Sequence, residues 1–158
     1  MKIISKEFDH GGFIPKKFTC NGEEISPELE FLGVPENAKS LVLIVDDQDV
    51  PEVFRKDRNF DHWILFNIPP EINKISENST VGISGKNTKN ELGYVRCCPP
   101  DTIHRYFFRL YALSEMLDLK EGVSKDELYK SMEKKVLEKA VLVGLYEQPE
   151  NKKTIELR

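Results

Sequence analysis

IHRYFFRLYAL, residues 103–113, carries the reading of the chain. Rich in aromatic and branched residues, it has the composition of a strand. Two-residue alternation then places His104, Tyr106, Phe108, Leu110 and Ala112 on one face, and Arg105, Phe107, Arg109 and Tyr111 on the other. The first face is apolar except where it begins, at His104 and Tyr106. Two other segments repeat the design. In SLVLIVDD, residues 40–47, Asp47 shares a face with Val45, Leu43 and Leu41. In DHWILFNI, residues 61–68, alternation groups His62 with Ile64, Phe66 and Ile68, and sets Trp63 opposite as a core or interface residue. Three apolar stripes thus each end in a titratable side chain. Brought together, the strand ends would make a polar cup of Asp47, His62, His104 and Tyr106 over a hydrophobic floor, the usual form of a small-ligand site.

Around these strands the chain is punctuated by turn residues: HGG at 10–12, CNGEE at 20–24, GVPENAK at 33–39, PP at 69–70 and GKNTKNELG at 85–93. Short apolar segments between turns indicate a mainly β protein. One helix is expected. Ser124 and Glu127 form a capping box, and Leu128, Met132, Val136 and Leu137 follow at helical spacing, which predicts a helix ending near Lys139. AVLVGLY, residues 140–146, then reads as a last strand, and residues 148–158 as a polar tail, loose or paired at a sheet edge.

The 158 residues fit one domain, and no repeat or composition break marks a second. Apolar residues make up 39% and charged residues 32%, the balance of a globular protein. A formal charge of -4 with interleaved lysines and acids offers no basic face for nucleic acid. The longest apolar run, LVLIV, is far short of the roughly 20 residues that span a bilayer. The N-terminal residues lack the apolar core of a secretory signal, so a cytoplasmic location is expected. Cys20, Cys97 and Cys98 make neither a CxxC pair nor an even disulfide framework, which suits a reducing compartment.

Three stretches in order, SPELEFLGVPENAKSLVLIVDDQDVP, DHWILFNIP and GYVRCCPPDTIHRYFFRLYAL, resemble the phosphatidylethanolamine-binding protein family, most closely its bacterial and archaeal Raf-kinase-inhibitor-like branch. The likeness runs from about residue 13 to about residue 147. It implies two packed antiparallel sheets with Greek-key connections and a helix before the last strand. It also implies an anion pocket built from Asp47, Asp49 and Pro51, His62, and Cys98, Pro99, His104 and Tyr106. By the same resemblance Val50–Pro51 is a candidate for cis geometry, and partners would include phosphate or a phosphorylated small molecule, a kinase or protease under regulation, and a second copy in a homodimer. Two departures bear on the rim. Gln48 replaces a family proline and restores a backbone N–H, and Val95-Arg96-Cys97 replaces a more glycine-rich approach, with Arg96 placed to close over an anion or to face water.

For a bound phosphate, the donors expected are His104, His62 and Tyr106. The acids would hold the imidazoles, each fixing one ring nitrogen and leaving the other to donate. Anion affinity would then fall as pH rises past the histidine range, about 6.5. The segment EVFRKDRNF, residues 52–60, adds basic residues that could guide an anion. A hydrolase built on Asp47, His62 and His104 with Cys98 as nucleophile is the alternative. Against it, Pro99 lacks the N–H an oxyanion hole would use, and no nucleophile elbow is present. His62, His104, Asp47 and Cys98 have the chemistry of zinc ligands but no chelating spacing, so neither a metal nor another cofactor is expected.

Overall fold

The computed structural model describes residues 1–150; the remainder of the expected polar tail, 151–158, lies outside the described residues. Among the described residues, nine strands form two sheets. Lys2–Ile4 (β1), Leu29–Leu32 (β3) and Lys74–Ile75 (β6) make a three-stranded antiparallel sheet in the order β1-β3-β6. Gly12–Phe13 (β2), Ser40–Asp47 (β4), Phe60–Ile68 (β5), Ile83–Ser84 (β7), His104–Leu113 (β8) and Val136–Tyr146 (β9) make the larger sheet, ordered β2-β9-β8-β4-β5-β7. The chain crosses between sheets from β3 to β4, returns from β5 to β6, and crosses again to β7. Every pairing is antiparallel except that of the two-residue β2, which runs parallel to β9.

The three diagnostic strands form where their composition places them, and β4 and β8 keep the expected alternation. Asp47 directly opposes Tyr106 on one side and Phe60 on the other, so β4 stands between β5 and β8 with their functional ends aligned. The inner face of the large sheet contributes Leu41, Leu43, Val45, Trp63, Tyr106, Phe108 and Leu110 to the core shared with Phe31 and Ile75 of the small sheet. Its outer face packs Val42, Ile44, Ile64 and Phe66 against Leu113, Leu117, Leu128 and Met132. β4 is therefore apolar on both faces, because both are covered.

The helix is Lys125–Met132 (α1), capped as expected by the Ser124 side chain accepting from the Glu127 N–H at 3.2 Å. It stops about two turns earlier than its periodicity predicts. Lys134 takes a left-handed φ of 64°, and the last strand begins at Val136 rather than 140, pairing with β8 from Leu113↔Val136 to His104↔Tyr146. Val136 and Leu137 read as a helix face because they continue a helical spacing. A ten-residue partner strand offers them a ladder of backbone hydrogen bonds instead, and tertiary pairing overrides local propensity.

Two irregularities interrupt β5. Between Val45↔Trp63 and Asp46↔Asp61 the register slips, and His62 is the extra residue. A second slip lies between Leu43↔Leu65 and Leu41↔Ile68. There Asn67 adopts φ 48° and bonds the Leu117 backbone twice, donating to its carbonyl and accepting from its N–H, both at 2.8 Å.

Candidate functional site

The bulge at His62 corrects the face grouping read from alternation. Strict alternation puts His62 with Ile64 and Phe66, and those two residues face the helix layer. A β-bulge places two residues opposite one, so the pleat loses a step. His62 accordingly lies on the same side as Trp63, with its ring 4.6 Å from Phe60 and 5.2 Å from Tyr106, centroid to centroid. Without the extra residue, His62 would be separated from Asp47 and His104 by the thickness of the sheet.

Asp47, His62, His104 and Tyr106 converge on one cavity of about 260 Å³, walled further by Val50, Phe54, Phe60, Val95, Pro100 and Cys98, with Lys89 and Arg96 contributing cations. His62 is buried, and its Nδ1–H donates to the Val95 carbonyl at 2.8 Å. A carbonyl can only accept, so Nδ1 carries the proton and Nε2 keeps a lone pair. Burial holds the His62 pKa below the ordinary histidine value, against the opposing pull of that hydrogen bond and of Asp47. The ring is thus a neutral acceptor near neutral pH.

His104 is its opposite. Nδ1 lies 2.6 Å from Asp47 Oδ2, and Nε2 lies 2.6 Å from Asp101 Oδ1. Two carboxylates can both be bonded only by an imidazolium, which has a proton on each nitrogen. Burial opposes that charge, yet the hydrogen bonds and charges of Asp47 and Asp101 outweigh it and raise the His104 pKa. The expectation that an acid would leave the second nitrogen open is met at neither ring: Asp101 covers it in His104, and in His62 it is an acceptor. Burial also drives the Tyr106 phenol well above its ordinary range, so its hydroxyl stays protonated and able to donate.

The remaining expected residues divide. Asp49 is absent from the cavity wall. Its backbone N–H donates to Asp47 Oδ1 at 2.8 Å, and its side chain turns to Arg105, accepting from the backbone N–H, Nε and Nη2 at 2.9, 2.9 and 2.8 Å. Hydrogen bonding to that guanidinium holds the Asp49 carboxyl below the usual range. Val50, rather than Pro51, meets the cavity, and the Val50–Pro51 peptide is trans, as are all described peptide bonds. Pro100 takes the wall position expected of Pro99, whose carbonyl instead accepts from Gln148 at 2.8 Å. Arg96 does reach the wall, with Nε 3.2 Å from a Glu24 carboxylate oxygen in an ion pair whose angle falls short of a hydrogen bond. Arg55 of the basic segment is engaged with Asp57 and the Asn59 carbonyl, while its neighbour Phe54 enters the wall. Gln48 lines a separate polar cleft beside Arg55 and Asp57.

The cysteines require the largest correction. Cys98 is bonded to Cys20 in a disulfide with Cα atoms 5.4 Å apart, joining positions 78 residues distant. The reading of three unpaired thiols fails because Cys20 and Cys98 meet only in the fold, where Thr19 bridges Cys97 and the Cys20 N–H donates to the Cys97 carbonyl at 3.1 Å. With it goes the cysteine argument for a reducing compartment. Cys98 has no thiol to act as a nucleophile, and Cys97 is fully buried with its thiol pushed up to about 12 by burial. Residues the sequence reading did not place at the site include Asp101, Phe60 and Lys89. Asp101 had a signal: it precedes His104 by three residues at a strand entrance, within reach of one turn. Phe60 had another, as the residue opposite Asp47 once the β4–β5 register is known.

A family model described as phosphatidylethanolamine-binding protein matches residues 4–147. The UPF0098 protein of Chlamydia muridarum is 45% identical over 149 residues, covering 94% of this chain and 99% of that one. That of Methanothermobacter thermautotrophicus is 44% identical over 153 residues, covering 92% and 98%. Among solved structures, the phosphatidylethanolamine-binding protein homolog CT736 of Chlamydia trachomatis is 44% identical and superposes with a TM-score of 0.91 over 93% of this chain and 97% of its own. Escherichia coli YbcL, at 24% identity and a TM-score of 0.82 over 93% and 98% of the two chains, shares the fold.

Proposed function

Because the chain belongs to the phosphatidylethanolamine-binding protein family, we propose that the cup binds a small anion: phosphate, or the phosphoryl group of a headgroup or another phosphorylated small molecule. The observation that carries this reading is the buried His104 ring, held between the Asp47 and Asp101 carboxylates in the wall of a hollow whose other polar side chains include Asp47 itself, Tyr106, His62, Lys89 and Arg96. Tyr106, Lys89 and Arg96 supply donors. His62 supplies one only after taking up a proton, and an anion against Nε2 favours that uptake because an opposite charge stabilises the imidazolium. Binding is therefore coupled to proton uptake, and affinity declines as pH rises through the histidine range.

The test is calorimetry with inorganic phosphate and with phosphoethanolamine, at a pH below and a pH above 6.5, in two buffers of different ionisation enthalpy. Expected are weaker binding at the higher pH and a buffer-dependent heat equivalent to about one proton taken up there. His62→Ala should lower affinity about tenfold or more, because a hydrogen bond to a charged group contributes ~1.5–3 kcal/mol. No binding at either pH, or affinity that increases with pH, would sink the reading.

Three further elements belong to the same proposal. The whole chain is taken as one binding domain. Regulation of a kinase or a protease, and assembly as a homodimer, follow family analogy, and a pull-down whose recovery is lost in His62→Ala would tie a protein partner to the cup. A cytoplasmic location now carries a condition: Cys20–Cys98 must resist the thiol pool, since cytosolic glutathione keeps most thiols reduced. Thiol alkylation of freshly lysed cells, followed by mass spectrometry, reads the state of the pair directly.

A further inference from the structure

We propose that Asp101 is a built-in competitor of the ligand: its carboxylate occupies His104 Nε2, a donor that a phosphoryl oxygen would otherwise take, and thereby sets which anions the cup accepts. The proposal rests on the anion-site reading above.

The two carboxylates on His104 are not equivalent. Asp47 ends a central strand, its side chain is 5% exposed, and its second oxygen is already bonded by the Asp49 N–H. It is part of the frame. Asp101 sits in a bend between Pro100 and His104 with its side chain 46% exposed. Rotation of that side chain into water uncovers Nε2 without moving a strand. Until then the carboxylate is held close by its own loop, which the Cys20–Cys98 disulfide, the Pro99-Pro100 pair and the Gln148 bond to the Pro99 carbonyl keep in place.

This tethering decides selectivity. A group held beside its partner competes as if present at a high effective concentration, of millimolar order for short flexible tethers. A free carboxylate brings the same two oxygens and the same single charge as Asp101, gains nothing by the exchange, and loses to the tethered copy. A phosphoryl group brings three acceptor oxygens and a charge of about −1.5 to −2 near neutral pH, and it engages Tyr106 and Lys89 as well as Nε2. The cup should therefore take phosphoryl ligands and refuse carboxylates, with Asp101 as the discriminating residue.

Calorimetry at one fixed pH with inorganic phosphate and with acetate tests this on wild type, Asp101→Ala and Glu91→Gln. Glu91 is an exposed acid beside Lys89 and Arg96 and controls for simple removal of a charge. Wild type should prefer phosphate to acetate by about tenfold or more. Asp101→Ala should bind both anions more tightly, with the gain larger for acetate, so the preference shrinks. Glu91→Gln should shift both together and leave the ratio intact. In wild type, the His104 Nε2–H proton resonance should move on addition of phosphate, a readout that needs no variant. An Asp101→Ala protein with unchanged or weakened phosphate binding, or a stationary Nε2–H signal while phosphate binds, would overturn the proposal and leave the anion site standing. Absence of phosphate binding by both wild type and Asp101→Ala would instead remove the anion site itself.

Discussion

Protonation separates the two histidines of the cup, and stability should record the difference. His104 has a raised pKa in the folded state, so its contribution is complete below the ordinary value of 6.5 and is lost as pH rises through the folded value. His62 has a lowered one, so below 6.5 the unfolded chain takes up a proton that the folded ring refuses, and stability falls as pH drops. The two effects together predict a stability maximum near the ordinary histidine value, measurable as the denaturation midpoint across pH. An imidazole NMR titration assigns the limbs: at pH 6.5 His62 should be mostly neutral and His104 mostly charged. Identical titration of the two rings would contradict the assignment. At this scale the residue types at the site were legible in the sequence and their electrostatic roles were not. That Asp47 faces an imidazole followed from strand ends, but the tautomer of His62 depends on the Val95 carbonyl, supplied by a loop 33 residues away.

Elements were legible in proportion to how strongly local pattern and tertiary pairing agree. β4, β5 and β8 have β propensity and a buried ladder, and they form within a residue of expectation. The end of α1 and the start of β9 set helical spacing against a long partner strand, and the partner strand prevails. The bulge at His62 left no trace in the sequence, since an alternating pattern with one extra residue looks like two patterns of different parity. Asn67 marks the second irregularity, and its loss should be felt: Asn67→Ala removes both hydrogen bonds to Leu117 and retains a Cβ at positive φ. A destabilisation of about 1–3 kcal/mol is expected in urea melts, with Asn67→Gly less damaging because glycine accepts the backbone conformation. Gly144 of β9 offers a second test. It faces Tyr106 across the ladder, and a Cβ there would lie 2.6 Å from Ile14 Cγ1 and 2.8 Å from a Phe8 ring carbon. Gly144→Ala should therefore cost about 1–3 kcal/mol through overpacking, and a neutral result would show that Ile14 can withdraw.

For the whole molecule, family membership and the two-sheet architecture were readable because motifs in β4, β5, β8 and the CCPP loop recur in fixed order. The disulfide was not, because nothing local relates Cys20 to Cys98. Its removal gives the prediction proper to this scale. Closing a loop between positions 78 residues apart restricts the unfolded chain, and the chain-entropy model puts the effect at about 4.5 kcal/mol, toward the top of a range that reaches ~5 kcal/mol. The Cys20→Ser, Cys98→Ser double variant should unfold at correspondingly lower denaturant with the cup of Asp47, His62 and His104 still formed, since the strands that carry them do not need the bridge to pair. The same closure governs how the molecule behaves under tension. β3 to β7 all lie between the linked positions, so a force applied at the two termini cannot extend them while the bond is intact. At about 3.3–3.6 Å for each extended residue, roughly 260 Å of contour length is hidden from the pulling device until a thiol releases it. A single-molecule stretching trace would therefore report the redox state of this protein as a length.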